Sequence, residues 1–236
     1  MHNTLGPGWN EWDYHRGMID ALAARGHPVK SHERKDLIHQ GIAVDRFELD
    51  LLVDDVIVLE RKHIKEDFHP AHFTQIINYL KCWNIRLGLL INFGQDQLRY
   101  KRVPFSDVDS LVEYTGCWPE IPLVEKEIIE RAIFGVLAGV AYGYGADVFK
   151  KLLTAELGFM KVDTVELSIN PAYGLMQFEK RVVDALAYGS KSLVAVSACS
   201  SATDLSYLKT YMKQSGRPYG ILVSLDKSKI RLRGVV

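Results

Sequence analysis

The chain has 236 residues, with 29 Lys+Arg against 29 Asp+Glu, so its formal net charge is zero. That length allows one large domain or two small ones, and the neutral balance lacks the basic excess usual in proteins that hold long nucleic acid non-specifically, although a local patch can hide in a neutral total. Its three cysteines, Cys82, Cys117 and Cys199, form no CxxC pair, which argues against a zinc ribbon, a four-cysteine iron–sulfur cluster and a disulfide scaffold.

Gly6-Pro7-Gly8 reads as a turn, and Trp12, Met18, Ile19, Leu22 and Ala23 recur at helical spacing, predicting a helix over 11–25 that Gly26 stops. Residues 29–44 are polar and irregular, with a strand and a turn around Gln40-Gly41. The pattern over 46–53, the Asp54-Asp55 turn and the apolar run 56–59 predict a hairpin whose second strand is buried on both faces. An amphipathic helix over 70–83, an apolar strand over 86–92 and a short strand over 98–103 complete a mixed sheet flanked by helices. Residues 106–122, with Gly116, Pro119 and Pro122, read as a linker.

A second cycle follows, with helices over 124–140 and 143–157, then strands over 162–168 and 177–186 around a proline-containing loop. A strand over 192–198, a helix over 204–213 and strands over 219–224 and 229–233 complete it. Residues 84–99 lie without gaps over 216–231, and Tyr79-Leu80-Lys81 falls on Tyr211-Met212-Lys213 at the same offset. Gly8 to Tyr14 can be set against Gly143 to Phe149. This reads as a duplication, with a first domain at 1–105, a linker at 106–122 and a second domain at 123–236. The longest apolar runs, 87–91 and 133–140, are too short to span a bilayer. No basic region followed by an apolar stretch opens the chain, so a cytoplasmic protein without membrane association is expected.

Chemistry concentrates in the first half. Asp50 lies on one predicted strand and Glu60 on the next, and the tight hairpin between them can bring both to one spot. Glu60 and Lys62 are two apart, so on a strand they share a face. They interrupt an apolar stretch, where burying a carboxylate and an ammonium is costly unless they are paired or bind metal. Two carboxylates are the usual protein contribution to a Mg²⁺ site, and a lysine beside them can orient water or stabilise developing charge. The competing structural reading is a buried Glu60–Lys62 ion pair beside an exposed Asp50. Gln75 and Tyr79 share one face of the next helix, with His72 a turn earlier. Glu11 opens the first helix, and Tyr14 lies one turn on.

In this order the motifs resemble the GxxExxY family of the PD-(D/E)XK nuclease superfamily. Gly8-Trp-Asn-Glu11-Trp-Asp-Tyr14 matches the naming motif, and the run from Asp50 through Glu60-Arg61-Lys62 resembles the superfamily's metal-binding hairpin. Gln75-Ile-Ile-Asn-Tyr79 is similar to the QxxxY motif of RecB-type exonucleases. The resemblance spans residue 5 to about 103. It implies a restriction-endonuclease-like three-layer αβα core, duplicated here as a pseudo-dimer, with Mg²⁺ or Mn²⁺ as cofactor. It further implies that Asp50 and Glu60 bind the metal, that Lys62 is catalytic, that Glu11 assists the metal through water and that Gln75 with Tyr79 shapes the phosphate pocket. Leu49 stands where the superfamily often has proline, and the helix that normally precedes the Gly turn is missing.

Substrate contacts are expected from Tyr79, His72 and the basic cluster Arg61, Lys62 and Lys65. Lys227, Lys229, Arg231 and Arg233 alternate near the end of the chain and read as a basic stripe on an ordinary solvated face. In the second half, 195–199 falls over 58–62, so that Ser197 replaces Glu60 and Cys199 replaces Lys62. Tyr207 falls on Gln75, Ala146 on Glu11, and Asp184 matches Asp50 only with a gap. The second half therefore reads as a copy without a site, serving structure, substrate or partner binding, or self-association. The leading expectation is a metal-dependent nuclease acting on nucleic acid, DNA ahead of RNA. Its rivals are a non-catalytic nucleic-acid-binding or protein-interaction module, and an enzyme of small phosphorylated metabolites.

Overall fold

The computed structural model describes residues 2–107, 110–173, 176–199, 201–226 and 228–236, side chains at 172 and 173 excepted. The chain divides into two compact units, Met1–Leu37 with Asp45–Asp107, and Ile38–Val44 with Val108–Val236.

The first unit runs α1 (His2–Leu5), α2 (Glu11–Ala23), β1 (Val29–Ser31), β2 (Arg34–His39), β3 (Ile42–Glu48), β4 (Leu51–Val53), β5 (Ile57–Lys62), α3 (Pro70–Trp83), β6 (Leu87–Asn92) and β7 (Arg99–Pro104). Its main sheet has the order β1-β4-β5-β6-β7. Only β5 and β6 pair in parallel, because α3 lies between them in sequence and a parallel step needs a crossover. Asp54 and Asp55 both have positive φ, and Val56 N–H donates to Val53 O at 3.0 Å. That is the signature of a type I′ turn, whose twist suits a hairpin, and it fixes β4 against β5.

Alternation along the strands then assigns each side chain to a face. On one face, Leu51, Val53 and Leu59 pack with Tyr14 and Met18 of α2 and with Phe93. On the other lies α3. There Gly88 admits the helix: a Cβ at this position would stand 2.6 Å from Ile76 Cδ1. Helix, sheet and helix thus form three layers. Helix α2 is capped by Asn10, whose Oδ1 accepts from Asp13 N–H at 2.9 Å.

Two expectations in this unit need correction. Residues 29–44 are regular: β2 and β3 form a separate two-stranded sheet, turning at Gln40-Gly41, where both residues have positive φ. The tip of this hairpin belongs to the second unit. There buried His39 meets Glu156 at 2.6 Å, and Gln40 Nε2 donates to the same carboxylate at 2.9 Å. The strand expected over 46–53 is broken: β3 ends at Glu48 and pairs with β2, while β4 begins at Leu51 and pairs with β1 and β5. The chain changes sheets at Leu49-Asp50, which puts the Asp50 side chain at the end of the hairpin rather than inside a ladder.

The second unit contains β8 (Leu111–Gly116), a 3₁₀ turn (Trp118–Glu120), α4 (Leu123–Val140), α5 (Ala146–Phe159), β9 (Thr164–Ile169), β10 (Ala172–Tyr173) and β11 (Met176–Gln177). It continues with β12 (Arg181–Tyr188), β13 (Ser192–Ser197), α6 (Ala202–Ser215), β14 (Tyr219–Asp226) and β15 (Lys229–Val235). Its main sheet has the order β8-β15-β14-β13-β12-β9. The stretch expected as a linker thus holds an edge strand. Strand β8 pairs in parallel with β15, and its Glu113 binds Lys229 Nζ at 2.5 Å and Arg231 Nε at 3.2 Å. The Gly and Pro residues there punctuate a strand and a turn, and they masked the period-two run before them. The same ion pairs take up Lys229 and Arg231 of the expected basic stripe; Lys227 lies outside the described residues.

Without β8, the two main sheets have the same strand order and the same pairing senses. Each has one parallel pair bridged by a 14-residue helix. The ladders also fix which residues correspond. Leu51 pairs with Leu59 and Leu186 with Val194; Glu60 pairs with Leu90 and Ala195 with Leu222. By this register Glu60 corresponds to Ala195, Lys62 to Ser197 and Asp50 to Ala185. The matches of Glu60 to Ser197, Lys62 to Cys199 and Asp50 to Asp184 are therefore corrected, the first two by a two-residue slip that kept the same face. Among the described residues, no helix is long and apolar enough to cross a membrane.

Candidate active site

The site grows out of β5. Leu59 pairs with Leu51, so Glu60 and Asp50 are the next residues along the two strands. Glu60 and Lys62 point to the α3 face and Arg61 to the α2 face. Lys62 Nζ donates to Glu60 Oε1 at 2.8 Å and to Gln75 Oε1 at 2.9 Å. Gln75 Nε2 in turn donates to the Tyr79 hydroxyl at 2.8 Å. The i, i+4 spacing on α3 thus completes a chain from Glu60 through Lys62 and Gln75 to Tyr79.

Glu60 is 3% exposed, and its second oxygen, Oε2, has no hydrogen-bond partner among the described residues. Burial, and after it the neighbouring Asp50 charge, push its pKa up from 4.5 to about 7, against the opposing pull of Lys62. Tyr79 is pushed to about 12 by burial and by the Glu60 charge, so it stays protonated at neutral pH. Asp50 is fixed by its neighbour: Oδ2 accepts from Arg61 N–H at 2.8 Å, and Oδ1 lies 3.3 Å from Arg61 Nη2.

Other expected residues fall differently. Arg61, expected to contact substrate, is buried and donates to the Glu11 backbone carbonyl at 2.9 Å; it ties α2 and Asp50 to β5. Its place on the α2 face follows from strand alternation, which puts it opposite Glu60 and Lys62. The Glu11 side chain is exposed, and its bond to Arg61 runs through the main chain. His72 lies close enough to Lys62 for that charge, after burial, to lower its pKa. Its Nδ1 accepts from His69 N–H at 3.1 Å, and His69 Nδ1 accepts from Ala71 N–H, so this pair closes the capping box of α3. Lys65 is exposed on the loop after β5.

Two residues escaped the sequence reading. His15 is buried, its pKa lowered to about 4 by burial and by Arg61, and it shares a 2.8 Å hydrogen bond with Ser31 Oγ. Asn92 lies beside Lys62 in the β5–β6 ladder and is 1% exposed. Its Oδ1 accepts from Ile64 N–H and Gly94 N–H, each at 3.0 Å, and its Nδ2 donates to Ile64 O at 2.8 Å. It clamps the loop leaving the site. The only sequence signal was a polar residue ending an apolar strand. Asn92→Ala will lower stability by about 2 kcal/mol, since buried backbone groups lose their partners; urea unfolding checks this, and a loss below about 0.5 kcal/mol would contradict the clamp.

The set suits one class of cation. Among the described residues there is no group of three or more His, Cys, Asp and Glu side chains placed to hold a metal. Mg²⁺ asks for less: one or two carboxylates, with waters and substrate phosphate completing its octahedron. Asp50 and Glu60 Oε2, which has no partner among the described residues, are the two carboxylates that could hold such an ion.

No curated protein matches the chain. A solved structure, "Crystal structure of SSO0001", aligns with it at 17% identity and a TM-score of 0.31, over 39% of this chain and 48% of that one. The chain therefore spans about half the length of that structure. Residues 1–103, which hold the whole of this site, match the family model of the PD-(D/E)XK nuclease superfamily.

Proposed function

We propose that the first unit is a metal-dependent nuclease of the GxxExxY type that hydrolyses phosphodiester bonds, in DNA first and RNA second. The observation that carries this reading is the buried, half-partnered Glu60. One of its oxygens holds Lys62, and the other has no partner among the described residues and lies within reach of the Asp50 charge. A structural ion pair would satisfy both oxygens; a metal ligand leaves one open.

A bound Mg²⁺ or Mn²⁺ would polarise the phosphoryl oxygen and lower the pKa of the attacking water. The chain's own residues supply the rest. Lys62, held between Glu60 and Gln75, presents its ammonium where charge grows on the phosphate. Gln75 fixes Lys62, and the protonated Tyr79 fixes Gln75. Arg61 holds Asp50 in place through main-chain and side-chain contacts. Lys65, exposed on the loop after β5, and His72, within reach of the Lys62 charge, would contact the phosphate, and Glu11, exposed at the start of α2, would assist the metal through water.

Calorimetric titration with Mg²⁺ and Mn²⁺ tests the metal set without any substrate. Wild type is expected to bind, and Asp50→Ala to lose at least about tenfold in affinity, with circular dichroism checking that the variant, in which buried Arg61 loses its carboxylate partner, is folded at the temperature used. Equal binding by wild type and Asp50→Ala would remove Asp50 from the site.

We also infer that the chain is an internal duplication whose second unit lost the site and serves to bind substrate or a partner. Supporting it are the shared strand order, the shared ladder register and a matching close approach. A Cβ on Gly220 would stand 2.5 Å from Met212 Sδ and 3.2 Å from Leu208, as one on Gly88 would meet Ile76 and Leu80. Each of these residues lies 132 positions from its counterpart.

A further inference from the structure

In the first turn of α2 an open ring is backed by two more. Trp12 is 56% exposed, and its indole stacks on His15, with ring centroids 5.0 Å and planes 15° apart. It stacks also on His32, at 6.2 Å and 25°, and the two imidazoles lie 4.8 Å apart. Trp12 and His15 are three residues apart and so share a face of α2. The His15 ring is buried and anchored at Ser31 Oγ, 2.8 Å away. A lone exposed tryptophan is ordinary on a protein surface. This one is held flat against two rings, within the usual range of aromatic stacking, while more than half of it stays open.

The stack is tied to Asp50 from two sides. His32 N–H donates to Asp50 O at 3.2 Å. The Glu11 carbonyl, next to Trp12 in the chain, accepts from Arg61 Nη1 at 2.9 Å, and Arg61 Nη2 lies 3.3 Å from Asp50 Oδ1. The stack also goes with the chemistry rather than with the fold. When Gly8 is set on Gly143, Tyr14 falls on Phe149, and both are core rings only 1% exposed. Trp12 then falls on Asp147 and His15 on Lys150. The unit without the carboxylate pair keeps the core ring and lacks the stack.

We propose that Trp12 is the platform for an unpaired nucleobase of the substrate strand, beside the phosphate held at Asp50 and Glu60. For the class of ligand, this rests on the nuclease reading. A phosphodiester at Asp50 brings a base with it, and the open indole is tied to that same residue. Every base has a π-face, so stacking on an aromatic side chain holds it whatever the sequence. In a duplex the bases are stacked on their neighbours and offer no face, so the platform selects single strands and open ends. A chain of zero net charge thereby gains a grip on the strand that does not depend on a basic groove.

The test is fluorescence anisotropy of end-labelled oligothymidylate and of an abasic strand of the same length and charge, titrated with the full chain in metal-free buffer so that neither is cut. Wild type should bind the thymidylate strand roughly tenfold more tightly than the abasic one, the worth of one stacked base. Trp12→Ala should lose that preference, and Trp12→Phe, which keeps a ring, should retain most of it. Affinity for a blunt duplex should be the same in wild type and both variants. Equal affinity of wild type for the two strands, a preference that survives in Trp12→Ala, or an equal loss on the duplex would overturn the proposal. So would the absence of saturation with either strand up to about 1 mM. The readout needs no cleavage. A base preference carried by Trp12 upholds the platform even if the chain cuts nothing, and cleavage without that preference overturns the platform while leaving the nuclease reading intact.

Discussion

Lys62→Ala will lower kcat for phosphodiester cleavage by roughly 10²- to 10³-fold, the usual cost of losing one preorganised donor to developing charge, with Mg²⁺ affinity nearly unchanged. The split follows from the hydrogen bonds. Lys62 touches Glu60 through Oε1 and Gln75 through Oε1, while the oxygen left for metal is Glu60 Oε2. Removing the ammonium therefore spares the metal oxygen and deletes the charge facing substrate. Single-turnover cleavage beside calorimetric Mg²⁺ titration reads both halves. A variant that cleaves at the wild-type rate would take Lys62 out of the mechanism, and one that loses metal would make its role structural.

Glu60→Gln will remove the loss of stability that metal-free wild type suffers as pH rises through 7. The folded pKa of Glu60, about 7, lies above its ordinary value of 4.5. Its protonated form therefore contributes stability that is fully present below about pH 4.5 and is lost as pH rises through 7. By pH 8 the wild type bears the full penalty of an ionised buried carboxylate, about 3 kcal/mol. Glutamine does not titrate, so the variant should match wild type in acid and exceed it at pH 8. Mg²⁺ binds the ionised carboxylate and should close the gap for wild type alone, by mass action. Denaturant unfolding of both proteins from pH 4.5 to 8, with and without Mg²⁺, measures this. Parallel stability curves for the two proteins would mean that Glu60 is ionised and satisfied throughout, as a plain ion pair with Lys62.

Much of the first unit was legible because its signals are local. The helix over Pro70–Trp83 carries its own period, its proline and its cap, and it forms with those bounds. Spacing alone put Glu60 and Lys62 on one face and Gln75 near Tyr79, and the structure joins all four. What sequence could not show depends on partners distant in the chain. Strand β8 looked like a linker because its pairing partner, β15, lies more than a hundred residues away. Arg61 looked like a surface cation because nothing local reveals that Asp50 and the Glu11 carbonyl enclose it. Asn92 acts through the backbone of a loop, and backbone acceptors leave no mark in sequence. The slip in matching the second unit arose for a related reason: a two-residue shift along a strand preserves facing, so only the ladders could decide between Ala195 and Ser197 as the counterpart of Glu60.

The most direct measurement is cleavage of labelled single- and double-stranded DNA and RNA with Mg²⁺ or Mn²⁺, wild type beside Glu60→Ala. The structure predicts metal-dependent cleavage of at least one substrate by wild type and none by the variant. Equal cleavage by both would contradict an active site built on Glu60, and absence of cleavage by wild type on every substrate and with either metal would contradict the nuclease reading itself.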